Sequence, residues 1–265
     1  MAQELNNMER TALGSQEFRS FVGEAIRGAT DRQERIAGFN QAVYSKSRVL
    51  CIGAGGLISQ IAPTLVRKGI GALTILDDDV VEASNLNRQR FYSKDIGHNK
   101  AYGLSENLLW ECVHSTRLTA YPLLLEEAID REIDLSCDVA ICGVDNNPVR
   151  VTASRHFREL GIPVIFTAVS ADADHGYVFV QERVGPCFGC LFPDAVDSQS
   201  FACPATPAIA DILQSVGALT VYALDSCLMR RPRLWNYRRI VLSDGHWDSS
   251  TIIANRFNCS LLVHD

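Results

Sequence analysis

The chain has 265 residues, enough for one large α/β domain or two smaller ones. Hydrophobic residues make up 47% and charged residues 21%, which provides a sizeable core and excludes wholesale disorder. Lys plus Arg total 25 against 31 Asp plus Glu, a formal charge of −6, which argues against a surface devoted to nucleic acid or anionic lipid.

From the N-terminus, Phe18, Phe21, Val22, Ala25 and Ile26 fall at helical spacing. They predict an N-terminal helical arm over residues 1–30, docked on a partner subunit or packed on its own domain. Residues 48–53 form a short apolar run stopped by glycines, the pattern of a fully buried parallel strand. Ile58, Ile61, Leu65 and Val66 then recur with helical period, and Gly69 suits the helix end. A second buried strand over 73–76 ends at Asp77, completing a right-handed β-α-β unit. The alternation goes on with a helix over 97–112 and a strand over 139–142. Asn147-Pro148 opens a helix that runs to Gly161, followed by a strand over 164–168. Residues 177–181 alternate in the manner of an antiparallel strand, and 183–206 read as a long functional loop. A helix over 206–229 and short strands over 239–242 and 251–254 complete the pattern.

No apolar run reaches the roughly 20 residues needed to cross a bilayer. The first residues lack the basic–apolar–small pattern of a secretory signal, so a cytoplasmic location is expected. The nine cysteines then point to thiol or metal chemistry before a disulfide framework.

Gly53-Ala54-Gly55-Gly56 joins a predicted strand to a helix, where bare backbone and a helix N-terminus favour a phosphate. A dinucleotide fingerprint wants a further glycine where Ile58 stands, which counts against a dehydrogenase. Asp77, at the end of the second strand, is placed to hydrogen-bond a ribose. The segment after it carries Arg88 and Lys100, cations with little use in hydride transfer and a clear use at a phosphorus centre. Asp145 ends another strand and suits Mg²⁺, which takes few carboxylates beside phosphate oxygens. Taken alone, the acidic run 77–79 reads as a solvated face.

In this order the residues resemble the ThiF/MoeB/ubiquitin-activating superfamily. The matching pieces are Arg32-Gln33, Gly53-Ala54-Gly55-Gly56-Leu57, Asp77 and Asp79, Ser84-Asn85-Leu86-Asn87-Arg88-Gln89, Gly97 with Lys100, Asp145-Asn146 with Arg150, and Cys187 with Cys190. They span roughly residues 30–260, and the stretch from Ser84 to Gln89 with Lys100 is the most specific. The resemblance implies adenylation of the C-terminal glycine of a ubiquitin-like protein. It implies one doubly wound, Rossmann-like domain over 31–265, with a mostly parallel sheet, helices on both faces and a cysteine-bearing loop. Asp77 would bind the ribose of ATP, while Asn85, Arg88, Gln89 and Lys100 would hold its triphosphate. Asp145 would place Mg²⁺. Arg32 would reach across a homodimer into the partner's site.

Cys187-Phe188-Gly189-Cys190 has the spacing of half a zinc site. The family's second pair is represented only by Cys259, so a Zn²⁺ site of Cys187, Cys190, Cys259 and His264 is expected, with a degenerate metal-free site as the alternative. Cys203 lies just before a predicted helix N-terminus, where the dipole favours a thiolate. By resemblance it is the nucleophile that takes the acyl group as a thioester, for transfer to a conjugating enzyme or to sulfur. The rival readings are a sulfur-carrier adenylyltransferase without an enzyme thioester, a tRNA-modifying cyclase and a non-catalytic partner subunit. Cys51, Cys112, Cys137, Cys142 and Cys227 are read as packing residues.

Overall fold

The computed structural model describes residues 9–13, 16–197, 208–243, 249–256, 259 and 261. Its centre is a parallel sheet. Strands β3 (Arg48–Ile52), β4 (Ala72–Leu76), β5 (Arg117–Tyr121), β6 (Val139–Cys142) and β7 (Val164–Val169) run side by side in the order β5-β4-β3-β6-β7. Antiparallel strands extend both flanks. On one side lie β1 (Glu9–Leu13) and β2 (Gln16–Val22); on the other lie β8 (His175–Gln181), β9 (Tyr237–Val241) and β10 (Ser249–Thr251).

The apolar runs read as buried strands are covered on both faces. Val49, Cys51, Leu73 and Ile75 face one core, with helices α2 (Gly56–Arg67), α3 (Lys100–Leu108) and α8 (Ala210–Leu228). Leu50, Ile52 and Leu76 face the other, with α4 (Leu125–Asp130), α5 (Asn147–Glu159) and the short α6 (Phe188–Leu191). The strand order reverses at β3, with β4 on one side and β6 on the other. Such a reversal opens a crevice beyond the carboxyl ends of a parallel sheet.

Among the described residues the predicted N-terminal helix is not formed. Residues 9–13 and 16–22 make an antiparallel hairpin, and β2 pairs with β5, Arg19 opposite Ala120. The apolar spacing that suggests a helix is outweighed by the unpaired edge of β5, whose backbone groups need partners. Gly23 adds a local reason: a Cβ there would meet Cys112 Cβ at 2.3 Å, so the backbone runs tight against the turn that follows α3. Smaller differences concern the ends of elements. Asn146 rather than Asn147 caps α5, accepting the Val149 N–H at 3.4 Å. The predicted loop 183–206 contains two short helices, α6 and α7 (Pro193–Asp197). Strand β5 and helix α4 were not predicted. Among the described residues no helix is long and apolar enough to cross a membrane.

Candidate active site

A cleft of about 470 Å³ opens at the strand-order reversal. It is built first by the chain's turn after β3. Gly53 has φ +95°, a conformation open to glycine, and its N–H donates to the Leu76 carbonyl at 2.7 Å. Above Gly55 nothing lies within 4 Å of where a Cβ would stand, so bare backbone faces the cleft at the start of α2. Asp77 fixes the turn: its Oδ2 accepts the Ala54 N–H at 2.6 Å and its Oδ1 accepts the Asp79 N–H at 3.0 Å. Burial pushes the Asp77 carboxyl up to about 6, against the opposing charge of Lys100.

The cationic side of the cleft hangs on a second set of bonds. Asn99 caps α3, and its Nδ2 donates to the carbonyls of Asp77 (2.8 Å) and Asp79 (3.0 Å). Lys100 therefore starts α3 beside the turn, with its Nζ 2.8 Å from Asp79 Oδ2. Arg88 comes from the turns after Ala83–Asn85, its Nη1 donating to the Ser84 carbonyl at 2.6 Å and to Asn87 Oδ1 at 3.0 Å. The buried Asn85 side chain accepts the Glu82 N–H at 2.9 Å and holds that loop in place. Opposite, the loop after β6 presents Asp145, exposed. It is shaped by Arg150, whose Nη2 donates to the Val144 carbonyl at 2.7 Å.

Gly53, Gly55, Gly56, Leu57, Asp77, Asp79, Asn85, Arg88, Gln89, Lys100, Asp145 and Asn146 all line this one cleft. Sequence reasoning missed its apolar wall, Leu123, Leu124 and Leu125, because the short helix they lead into gives too few residues for a periodic signal. It also missed Thr167 and Val169 at the end of β7. Ile58 does not face the cleft. It is fully buried, and Gly143 makes room for it: a Cβ on Gly143 would meet Ile58 Cγ1 at 2.8 Å. The glycine absent from position 58 is thus matched by one across the interface, on the β6 side.

Arg32 does not line the cleft. It is exposed and precedes the turn Gln33–Arg35, which is tied to the Lys68 carbonyl at the opposite end of α2. Cys203 and His264 lie outside the described residues.

Away from the cleft, the thiols of Cys187, Cys190 and Cys259 lie within 4.8 Å of one another, the one such metal-capable cluster among the described residues. Cys187 Sγ stands 3.4 Å from Cys259 Sγ and 3.7 Å from Cys190 Sγ. Tetrahedral zinc with bonds of about 2.3 Å places its sulfurs roughly 3.8 Å apart, so these soft donors fit that ion. Burial, with the Cys259 contact, pushes the Cys187 thiol up to about 12. Burial also raises Cys190, but hydrogen bonds outweigh it, first the Arg256 N–H, and the net direction is down.

Of the cysteines read as packing residues, Cys51, Cys112, Cys137 and Cys142 are buried and Cys227 is half-buried. Trp235 is buried, with the guanidinium groups of Arg233 and Arg238 at 5.5 and 5.1 Å from its ring centre, and Arg233 also pairs with Glu182 at 3.0 Å. Asp172 accepts from Ser170 within its own turn.

A family model described as the ThiF family matches residues 30–260. A SAMP-activating enzyme E1 of Haloferax volcanii is 31% identical over 63% of this chain and 61% of its own length. A sulfur carrier protein adenylyltransferase of Thermus thermophilus is 32% identical over 58% of each chain. The chain thus matches about six tenths of the length of these two relatives. Among solved structures, E. coli MccB superposes with a TM-score of 0.70 at 18% identity, covering 83% of this chain and 68% of that one, a likeness of fold.

Proposed function

The chain belongs to the ThiF family, and on that premise we propose that it adenylates the C-terminal carboxylate of a small ubiquitin-like or sulfur-carrier protein. One observation carries the reading: bare glycine backbone, Arg88, Lys100 and Asp145 converge on a single cleft at the carboxyl ends of β3, β4 and β6. The names of the two relatives support the substrate class.

In this reading ATP lies with its adenine against Leu123–Leu125 and its ribose near Asp77. The triphosphate follows the turn at Gly55 toward Arg88 and Lys100. Asp145 would hold Mg²⁺, which supplies charge neutralisation to the phosphate oxygens. A carboxylate oxygen of the carrier attacks the α-phosphorus in line. The bond from that phosphorus to the oxygen bridging toward the β-phosphate breaks, and pyrophosphate leaves. The chain's own residues act by position and charge: Lys100 exchanges Asp79 for phosphate oxygens, and Arg88 meets the developing charge. Arg32 completes the cleft of a second copy, in a homodimer. Cys203 then attacks the acyl carbon, the mixed anhydride opens and AMP departs, leaving a thioester. Zn²⁺ on Cys187, Cys190, Cys259 and His264 has a structural role, pinning α6 to the C-terminal segment.

The test is incubation of the purified protein with Mg·ATP and host lysate, read by intact mass without reductant. A thiol-labile adduct of protein size, absent in Cys203→Ala, supports both steps. Pyrophosphate exchange that survives Cys203→Ala with no adduct supports adenylation and removes the thioester. Loss of neither signal in Arg88→Ala removes the proposed site.

A further inference from the structure

The cleft leaves unexplained a buried ion pair at the far ends of two helices whose first turns reach it. Lys68, which closes α2, pairs with Asp225 in α8, and their side chains are only 19% and 11% exposed. The Lys68 ammonium lies 5.4 Å from the ring centre of Phe39 and 5.1 Å from that of Tyr44. Tyr44 ends the short helix α1 (Gln41–Tyr44), and Phe39 belongs to the connecting segment 24–40. The Lys68 carbonyl accepts from Gln33 Nε2 at 2.8 Å and from Gln41 Nε2 at 3.1 Å. Just beyond Asp225, the Met229 sulfur accepts the Asn40 N–H at 3.1 Å. The connecting segment is therefore gripped by the C-terminal ends of both helices.

An ion pair buried this deeply seldom gains stability over apolar side chains of similar size. This one is also incompletely satisfied, since Asp225 Oδ1 and the Tyr44 hydroxyl have no hydrogen-bond partner. What the pair does provide is a fixed register between two helices and the aromatic ring of the segment that carries Arg32. We propose that Lys68 and Asp225 are positioning residues: they latch segment 24–40 to the ends of α2 and α8. The latch sets where Arg32 is presented, roughly 18 Å along α2 from the chain's own cleft. The consequence for catalysis rests on the reading that Arg32 completes the cleft of a second copy. The latch itself does not.

The test uses the full chain carrying Lys68→Met and Asp225→Leu together, an exchange of the whole pair that keeps the fold. Trypsin cleavage is followed by mass spectrometry after Arg32 and Arg35, with Arg155 on α5 as the internal reference. The latch predicts cleavage about tenfold faster after Arg32 and Arg35, with Arg155 unchanged. Unchanged cleavage at Arg32 and Arg35, or equal acceleration at Arg155, overturns it. ATP–pyrophosphate exchange with a synthetic peptide ending in Gly-Gly gives the second readout. Exchange falls about tenfold with KM for ATP unchanged, and added Lys100→Ala protein, which has an intact latch, restores it. Arg32→Ala separates the two ideas. If it leaves exchange intact while the double variant still opens to trypsin, the latch stands and the role of Arg32 in a second cleft falls.

Discussion

Gly143→Ala tests how this chain tolerates isoleucine at position 58. The added methyl would stand 2.8 Å from Ile58 Cγ1 and 2.9 Å from Cδ1. Ordinary carbon contacts lie at about 3.5–4.0 Å, so one side must move by roughly 0.7 Å or more. Ile58 has no free volume to move into, being 0% exposed and packed in the α2 core. Overpacking of this kind costs about 1–3 kcal/mol. Gly143 has no positive φ, so alanine recovers about 0.4–1 kcal/mol through the unfolded chain. The net loss is then roughly 0.5–2 kcal/mol, or a Tm lower by about 1–4 °C for a chain of this size. In an Ile58→Ala background, itself about 2–5 kcal/mol less stable, both clashing atoms are gone. Gly143→Ala should there be neutral or slightly stabilising. Urea unfolding of the four proteins measures the coupling, expected at about 1–3 kcal/mol. Equal effects of Gly143→Ala in both backgrounds would refute the reciprocal fit.

Lys100→Ala should lower adenylation by about 10²–10³-fold, and Arg88→Lys should fall between wild type and Arg88→Ala, since charge survives but the planar fork does not; pyrophosphate exchange reads both. Burial pushes the folded Asp77 carboxyl up to about 6 from its ordinary 3.8, so ionisation destabilises the fold and stability gained below pH 3.8 is lost as pH rises through 6. Relative to Asp77→Asn, wild type should lose up to roughly 3 kcal/mol between pH 4 and 7.5; parallel urea-unfolding curves for the two proteins would count against the burial argument. Wild type should carry one zinc per chain by elemental analysis, and Cys259→Ser should release it and lower Tm by on the order of 10 °C. A metal-free wild type would remove the zinc assignment.

Four of the five parallel strands were legible because each contains a short apolar run buried on both faces, as at 48–53 and 139–142, whereas β5, with Arg117 exposed and Thr119 half-buried, breaks that pattern. Part of the cleft was legible for the same reason, since Gly53, Asp77 and Asp145 follow closely after such strands, whereas Asn85, Arg88 and Lys100 lie further along the chain and were assigned to it through the family resemblance. Two things were hidden. Phe18, Phe21 and Val22 fit a helix as well as a strand, and only the edge of β5, far along the sequence, decides between them. The apolar wall at Leu123–Leu125 depends on a six-residue helix that gives no usable period. Neither the Lys68–Asp225 pair nor the pairing of Ile58 with Gly143 can be seen without three dimensions, since each joins residues on separate elements.

The hairpin at the N-terminus has a consequence for the order in which the molecule is made. Strand β2 is synthesised well before the strand it pairs with, since the register sets Arg19 against Ala120. About 100 residues must be added before that partner exists, which takes roughly 5–20 s at ordinary elongation rates. A lone two-stranded hairpin is marginal in water over that interval. The β-α-β units of β3, β4 and their helices close over short loops and can settle meanwhile. Strands β1 and β2 are thus made before the sheet and placed after it, extending one side of β5 once the parallel strands have formed.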